Sequence, residues 1–316
     1  MTQTAEITTL TPTRGQALAA ELRAVLSGDS LVKADEPLAR RTTFRVGGPA
    51  DVYVEPASEE DLAAVLSFCA EMGEKFFVLG RGSNLLVRDG GFRGVVICLA
   101  QPFFSRIEVR GDRLHCGAGA KLKHVAVEAK RHGLSGVEFL EGIPGSVGGA
   151  LRMNAGAMSG ATFDVVESLR FMDYRGQIFE RSVREISAGY RSCPLLREHL
   201  ALQVVFRCAL ASREEIEQRM EAFSKKRWAS QPAAPSAGCI FKNPQPLAAG
   251  RLVDELGLKN LRVGGAVVSP EHGNFIVNDG GATARDILEL IELVQQRVRA
   301  GRGVELHTEI EIIGED

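Results

Sequence analysis

The chain contains 316 residues, of which 45% are hydrophobic and 25% charged, and its formal net charge is −2. That length is enough for two or more lobes with ordinary apolar cores. No basic block or stripe interrupts the nearly neutral balance, so we exclude nucleic acid and an anionic membrane surface as main partners and expect a small-molecule ligand.

Residues 1–15 lack the basic start and the apolar run of a signal peptide, and we predict that they are disordered. No later stretch approaches the ~18 apolar residues of a membrane span, so we expect a cytoplasmic protein without a membrane partner. The six cysteines form no CxxC pair and the six histidines show no ligand spacing. The pattern therefore predicts no metal site and no disulfide framework, and it assigns Cys69, Cys98, Cys116 and Cys208 to buried packing positions.

The first third of the chain predicts a small α/β lobe. Residues 16–27 have the apolar spacing of a helix, and Val52 and Val54 alternate with polar neighbours as in a strand. A helix through Met72 follows, with Ser58 as its N-cap and Asp61 as the partner of a capping box. Further strands are predicted at 76–79 and 95–99. An order of strand, helix and strand is typical of a small α/β unit.

The middle of the chain changes to a mostly β pattern. It predicts hairpins at 106–116 and 168–183, a helix at 120–132 and a strand at 200–210. Ser212 then caps a helix whose first turn is acidic and whose last turn is basic, as the helix dipole favours. We place a domain boundary near residue 212.

The C-terminal part is predicted to be α+β. Strands are expected at 239–244, 274–277 and 304–313, and helices at 251–256 and 283–300, the last with a capping box completed by Asp286. The predicted organisation is a tail and helix at 1–30, a first lobe at 31–100, a second lobe at 101–211 and a C-terminal domain at 212–316.

Two glycine-rich segments are the strongest signals for a ligand. One spans Val137 to Ala157, and the other, Gly80 to Leu85, directly follows a predicted strand. One such loop alone is better explained by a turn between buried elements. Neither segment is a Walker P-loop, and Leu85 stands where a Rossmann fingerprint needs its third glycine. Backbone amides in such turns can bind a pyrophosphate, so two clusters indicate one extended ligand such as a flavin dinucleotide.

Six motifs occur in order along residues 41–316: RTTFRVGGPA, LGRGSNLLVRDGGFRGVVI, GVEFLEGIPGSVGGALRMNAGA, YRSCPL, SAGCIFKNP and HTEIEIIG. In this order they resemble the UDP-N-acetylenolpyruvoylglucosamine reductase (MurB) family of flavoenzymes. The resemblance implies an α+β fold, with a two-lobed FAD-binding domain of the vanillyl-alcohol-oxidase (PCMH) type and a C-terminal α+β domain that binds the UDP-sugar.

The same resemblance implies the reaction. NADPH reduces FAD and leaves, and hydride then passes from flavin N5 to the methylene carbon of UDP-N-acetylglucosamine enolpyruvate, giving UDP-N-acetylmuramate for peptidoglycan synthesis. We expect the enzyme to be a monomer.

Three positions match the catalytic residues of the family. Arg191 is expected to bind the substrate carboxylate and to stabilise the enolate, which needs fixed positive charge. Cys239 stands where the family most often has a proton-donating serine, and a thiol with an ordinary pKa near ~8.5 is a stronger acid than an alcohol. Glu309 is expected to pair with the arginine, although a lone Glu in an alternating strand is usually solvated.

Cofactor and substrate positions are carried over from the resemblance in the same way. For FAD these are the two glycine segments and the turn after the second: Gly80, Arg81, Gly82, Ser83, Asn84, Leu85, Gly142, Ile143, Pro144, Gly145, Ser146, Gly149, Asn154, Ala155 and Gly156. For the UDP-sugar they are Tyr190, Arg227 and Asn243, whereas Lys242 is expected on the opposite strand face, at the surface.

No long insertion follows Arg191, so the chain resembles the shorter class of the family, and we expect an open substrate site without a lid tyrosine. Two other hypotheses stay open from the residues alone. One is a different flavin oxidoreductase of the superfamily, such as an aldonolactone or alcohol oxidase, although those lack the SAGCIFKNP stretch. The other is a sensor that binds FAD or a UDP-sugar without catalysis, although a sensor has no need of a proton donor at residue 239.

Overall fold

The computed structural model describes residues 12–244 and 246–316. The predicted disorder of residues 1–11 lies outside this part of the chain. For residues 12–15 the predicted disorder is wrong in part, because the first helix begins at Arg14. Thr13 and Gln16 form a capping box at its start.

Most helices begin and end at the local signals that predict them. Ser212 and Thr283 cap their helices in capping boxes with Glu215 and Asp286, and Gly73 ends another in the left-handed conformation with φ 67°. The helices are α1 (Arg14–Val25), α2 (Glu59–Met72), α3 (Pro102–Ser105), α4 (Leu122–Arg131), α5 (Val147–Arg152), α6 (Arg213–Trp228), α7 (Ala249–Glu255) and α8 (Ala284–Arg302). Short 3₁₀ helices occur at Leu38–Arg41, Glu138–Gly142, Thr162–Asp164, Val183–Glu185 and Pro194–Arg197.

The capping box predicted at α2 does not form as expected. Ser58 accepts a hydrogen bond from the Asp61 backbone N–H at 3.2 Å, which is half of the box. The Asp61 carboxylate instead accepts from the backbone N–H and hydroxyl of Ser27 and from the Ser30 hydroxyl. The aspartate therefore ties α2 to the loop after α1, a tertiary contact that sequence spacing cannot reveal.

The strands are β1 (Leu31–Pro37), β2 (Pro49–Glu55), β3 (Phe76–Val78), β4 (Leu85–Val87), β5 (Phe92–Ile97), β6 (Ile107–Arg110), β7 (Arg113–Gly117), β8 (Leu134–Ser135), β9 (Gly156–Ala157), β10 (Gly160–Ala161), β11 (Val166–Asp173), β12 (Ile178–Ser182), β13 (His199–Arg207), β14 (Ala209–Leu210), β15 (Ser236–Cys239), β16 (Arg262–Val263), β17 (Ala266–Val268), β18 (Phe275–Asn278) and β19 (Glu311–Ile313). Two predicted strands are wrong in extent. The strand predicted at 239–244 ends at Cys239, and of the strand predicted at 304–313 the structure has β19 alone.

Two sheets build the first two lobes. The first has the order β1-β2-β5-β3, in which β5 runs parallel to both β2 and β3 and β1 is antiparallel to β2. The second is a fully antiparallel sheet of order β12-β11-β13-β7-β6. One apolar core joins the inner faces of both sheets and helices α1, α2 and α4. A small α/β lobe therefore packs against a mostly β lobe, as the pattern predicts.

The third sheet has the order β15-β18-β17-β16 and packs against α7 and α8 in a separate core. Phe44 and Val46, which precede β2 in the chain, belong to this core. Helix α6 does not, because its buried residues Ile216 and Met220 join the core of the first two lobes. The predicted boundary near residue 212 stays a prediction, and we propose that the third domain begins after α6.

The end of the chain returns to the first lobe. Strand β19 pairs in parallel with β4, with Glu311 opposite Leu85 and Ile313 opposite Val87. Since β4 directly follows the first glycine segment, this pairing brings the C-terminal residues to the predicted cofactor loop.

Cysteine burial differs from the prediction at one position. Cys69, Cys116 and Cys208 are buried as predicted, whereas Cys98 is half-buried. In the described residues all six cysteines are free, and no group of His, Cys, Asp and Glu is arranged to hold a metal ion. None of the helices in the described part of the chain combines the length and apolar character needed to cross a membrane.

We expect Phe44→Ala to destabilise the protein by about 3–5 kcal/mol, because it removes a fully buried ring from the core of the third domain. Urea unfolding followed by circular dichroism measures the effect. Phe103→Ala is the matched control, since that ring is 36% exposed, and its cost should be about 1 kcal/mol or less. Equal destabilisation of the two variants would show that Phe44 does not contribute to the core of the third domain.

Candidate active site

The two glycine segments meet at one cavity. It has a volume of about 380 Å³ and is lined by Gly80 and Arg81 from the first segment and by Ser146, Gly148 and Gly149 from the second. The segments are in close contact, because a Cβ atom on Gly80 would lie 2.8 Å from the Ser146 hydroxyl. Two glycine loops far apart in sequence thus contribute to a single ligand-sized space.

The wall of this cavity is positively charged. Arg81, Lys121 and Arg152 line it together with His124 and His199, and none of the described lining residues is Asp or Glu. Cationic side chains and exposed backbone amides suit an anionic ligand such as a pyrophosphate. Sequence analysis missed Lys121, although it directly precedes α4, and Arg152, although it belongs to the second glycine motif.

The lining of this cavity also includes apolar residues. Apolar atoms of Val78, Leu79, Leu99 and Leu200 form part of the lining. Gly149 is exposed on it, and a Cβ atom there would meet only the Ser146 hydroxyl, at 3.5 Å. A ligand can therefore lie against this stretch of backbone, and the residues present fit FAD.

The other predicted cofactor residues lie outside the cavity lining and stay predictions. Leu85 is buried in β4, while Gly82 has φ 60° and its carbonyl accepts from Thr43. Asn154 donates its side-chain amide to the Gly189 carbonyl at 3.1 Å, which holds the loop before Arg191. The remaining predicted cofactor residues lie in turns and loops next to these elements. Ser83 lies in the turn before β4, Gly142, Ile143, Pro144 and Gly145 precede α5, and Ala155 and Gly156 follow it.

The structure brings the three predicted catalytic side chains together. Arg191 Nε donates to Glu309 Oε1 at 2.6 Å, and the arginine and glutamate side chains are 24% and 9% exposed. The two charges also act on the Cys239 thiol, in opposite directions. These residues come from the second lobe, from β15 and from the segment before β19, so only the folded chain assembles the group.

Arg191 has an unusual backbone conformation. Its φ is 54°, in the left-handed region, within a tight turn in which the Gly189 and Ser192 backbones bond to each other. A non-glycine residue held there costs roughly 1–3 kcal/mol, and such strain clusters at functional sites. Among the described residues the arginine's terminal nitrogens have no hydrogen-bond acceptor, so its planar fork is available to a ligand.

Glu309 is not the solvated strand residue that alternation alone indicates. Its backbone N–H donates to the Ile240 carbonyl at 2.7 Å, which places it beside Cys239. Burial raises the pKa of its carboxyl, and the Arg191 and Lys242 charges act in the opposite direction. Lys242 is exposed, as expected.

Cys239 lies in β15, where it pairs with Phe275. Burial, helped by the Glu309 charge, raises the pKa of its thiol to about 11, while the Arg191 charge and the Asn274 side chain act against the rise. The expected ordinary pKa was therefore too low. The Asn274 side-chain amide accepts from the Phe241 N–H and donates to the Phe241 carbonyl. Sequence analysis missed it, and nothing in the local pattern distinguishes it.

The predicted substrate residues make the following contacts. Tyr190 is 64% exposed, and the Arg191 guanidinium lies 5.4 Å from the centre of its ring. Arg227 donates to the Gly142 carbonyl, and burial lowers its pKa. Asn243 accepts from the Ala249 N–H at 3.0 Å, at the start of α7. Their roles toward a substrate stay predictions.

Comparison with known families agrees with this geometry. Residues 50–182 match a family model described as FAD binding domain, and residues 231–313 match one described as UDP-N-acetylenolpyruvoylglucosamine reductase, C-terminal domain. The chain is therefore an FAD-dependent oxidoreductase with an α+β fold.

Relatives and solved structures identify the family. The chain is 42% identical to the UDP-N-acetylenolpyruvoylglucosamine reductase of Clostridium botulinum strain Hall over 92% of this chain and 94% of that protein. It is 41% identical to the enzyme of the same name from Clostridium kluyveri, over 94% and 98%. The crystal structure of the reductase from Thermus caldophilus matches with a TM-score of 0.77 at 40% identity, covering 90% of this chain and 98% of that one. The chain belongs to the UDP-N-acetylenolpyruvoylglucosamine reductase family.

We expect Gly149→Val to weaken FAD binding at least tenfold while leaving the fold intact, because the new side chain enters the cavity and meets little protein. The ratio of flavin absorbance to protein absorbance, and titration of the apoprotein with FAD, measure the effect. Gly28→Ala is the control, since no atom lies within 4 Å of its added methyl group. Unchanged FAD affinity in Gly149→Val would show that the cofactor does not lie against this backbone.

We expect the alkylation of Cys239 by iodoacetamide to respond in opposite directions to two substitutions. Glu309→Gln removes a charge that raises the thiol pKa, so at pH 9 the reaction should be faster than in the wild type. Arg191→Gln removes a charge that lowers it, so the reaction should be slower. Mass spectrometry of the peptide that contains Cys239 follows both. A change of the same sign in the two variants would contradict the electrostatic account of the site.

Proposed function

We propose that this chain reduces UDP-N-acetylglucosamine enolpyruvate to UDP-N-acetylmuramate, with NADPH as the reductant, in the synthesis of peptidoglycan precursors. The names of the relatives support the substrate. The observation that carries the proposal is the meeting of a protonated thiol, an arginine with unused donors and a buried carboxylate in one group of side chains.

Gly80, Ser146 and Gly149 from the two glycine segments would hold FAD, and the cations Arg81, Lys121 and Arg152 would neutralise its pyrophosphate. When bound, FAD takes hydride from NADPH and supplies it to the methylene carbon of the enolpyruvyl group. Arg152 also connects the cavity with the segment that carries Glu309. Its guanidinium forms an ion pair at 3.1 Å with Glu311, two residues further along the chain.

Arg191 is the proposed anchor of the substrate carboxylate. Its Nε is engaged by Glu309, which fixes the plane of the guanidinium and leaves the terminal nitrogens for a bidentate contact. As hydride reaches the methylene carbon, negative charge develops on the neighbouring carbon and its carboxylate. A permanent positive charge already oriented there stabilises this enolate without reorganisation.

Cys239 is the proposed proton donor. A thiol whose pKa is about 11 carries its proton throughout the neutral range, as a general acid must before it reacts. The proton passes from Sγ to the enolate carbon, and the thiolate that remains is neutralised by a proton from solvent. The Arg191 charge favours that thiolate, which lowers the barrier to the transfer.

Glu309 is proposed to orient Arg191 and to balance its charge until substrate binds. Removing it would free the guanidinium to rotate, and a misplaced anchor costs more in rate than in affinity. The open substrate site and the monomeric state expected from sequence remain part of the proposal. Both alternative hypotheses fail if the enolpyruvyl sugar reoxidises the reduced protein without oxygen.

We expect Cys239→Ser to keep substantial activity, because the hydroxyl can still donate a proton. Cys239→Ala should lose roughly 100-fold or more in turnover with the enolpyruvyl sugar, the size of a general acid's contribution. In both variants NADPH should still bleach the flavin absorbance at the wild-type rate. Anaerobic stopped-flow absorbance separates the two steps.

Cys69→Ala is the matched control, since it removes a buried thiol of α2 that belongs to the core of the first two lobes. This substitution should change neither the rate of flavin reduction by NADPH nor the turnover with the enolpyruvyl sugar. Equal turnover in Cys239→Ala and the wild type would remove Cys239 from the mechanism.

A further inference from the structure

Asn84 contacts the C-terminal segment at two points. Its side-chain Nδ2 donates to the Glu309 carbonyl at 3.2 Å, and its own carbonyl accepts from the Glu311 N–H at 3.0 Å. The two contacts lie on either side of Ile310 and continue directly into the pairing of β4 with β19. One residue of the first glycine segment therefore holds the backbone of the catalytic glutamate.

The other side of Glu309 is held as well. Its N–H donates to the Ile240 carbonyl, next to Cys239. Because the Asn84 amide occupies the Glu309 carbonyl, both backbone polar groups of this residue are engaged. The glutamate's position is therefore set jointly by the strand that carries Cys239 and by the loop that borders the cofactor cavity.

The Asn84 side-chain amide is directed at Glu309, and the residue is not part of the cavity lining. The amide instead bonds the backbone of the residue that forms the ion pair with Arg191. The distance from Arg191 Nε to Glu309 Oε1 is 2.6 Å, so a shift of the Glu309 backbone would disturb this pair.

We propose that Asn84 is a positioning residue for the Glu309–Arg191 pair and acts in reduction of the enolpyruvyl group rather than in cofactor binding. The inference rests on the proposed function. Loss of the amide bond lets the Glu309 backbone shift, and a shift of about 1 Å at a catalytic pair can lower the rate by roughly 100-fold. FAD affinity and reduction by NADPH depend on the cavity and change little.

The test uses Asn84→Ala and Asn84→Asp, the second of which keeps the shape of the side chain and, when ionised, cannot donate. Gln295→Ala is the matched control: its amide donates to the Leu306 carbonyl at 2.9 Å, the same kind of bond to the same segment but from α8. Three quantities are measured on each holoenzyme: FAD affinity, the rate of flavin reduction by NADPH, and the rate of reoxidation by the enolpyruvyl sugar without oxygen.

We expect both Asn84 variants to lose tenfold or more in reoxidation, with the other two quantities within about twofold of wild type, and Gln295→Ala to be within about twofold in all three. Loss of FAD affinity in the Asn84 variants, an equal loss in both half-reactions, or no change would each overturn the inference. If one of the two Asn84 variants does not fold, the measurements on the other variant test the inference.

Amide hydrogen exchange gives a readout that does not depend on substrate. In Asn84→Ala the peptide that covers residues 308–313 should exchange roughly fivefold faster, the effect of losing one ordinary hydrogen bond. Unchanged exchange there would show that the amide does not hold the segment. If the wild type itself is not reoxidised by the sugar, the proposed function is wrong, and the exchange result alone then decides whether Asn84 positions Glu309.

Discussion

The ion pair between Arg191 and Glu309 is the interaction on which the rest of the site depends. The glutamate is nearly buried, and the pair closes at 2.6 Å between a strained turn of the second lobe and the segment that precedes the last strand. Removing one partner leaves the other charge partly buried and without its counter-charge, which is destabilising. The fold must therefore bring its C-terminal residues back to the first two lobes.

That return explains several features that look unrelated in the sequence. Strand β19 pairs with β4 beside the first glycine segment, and residues 240–242 bond to residues 307–309 on the other side. Phe44 enters the core of the third domain, so the first lobe and the third domain share apolar contacts as well as backbone bonds. The C-terminal segment is thus held between the cofactor loop and the strand that carries Cys239.

The cofactor cavity and the group formed by Arg191, Cys239 and Glu309 differ in charge. The cavity is lined by cations without a described carboxylate, which suits a pyrophosphate. The catalytic group instead combines one cation, one carboxylate and one neutral thiol, and burial raises the pKa of both acids. An anionic substrate can therefore be held by Arg191 while a proton remains available beside it.

Sequence patterns predicted most of the helices because their caps are local signals: Ser212 with Glu215 and Thr283 with Asp286 lie within a single turn. The patterns failed where contacts with distant segments determine the secondary structure. Alternation in residues 304–313 predicts a continuous strand, yet only Glu311–Ile313 forms one, while Thr308 pairs with Phe241 in an isolated bridge.

The candidate site was predictable to a similar extent. The ordered motifs identify Arg191, Cys239 and Glu309, because a family resemblance carries positions forward. They cannot show that Asn274 bonds the Phe241 backbone beside Cys239, that burial raises the thiol pKa, or that Asn84 faces Glu309, since each depends on residues far apart in the chain.

The central claim is that this chain transfers hydride from NADPH to an enolpyruvyl sugar through FAD. One anaerobic stopped-flow series on the purified protein tests it most directly, by following flavin absorbance first with NADPH and then with UDP-N-acetylglucosamine enolpyruvate. Our account predicts bleaching by NADPH and rapid recovery on addition of the sugar. A flavoprotein that is bleached by NADPH but recovers only when oxygen is admitted would contradict it.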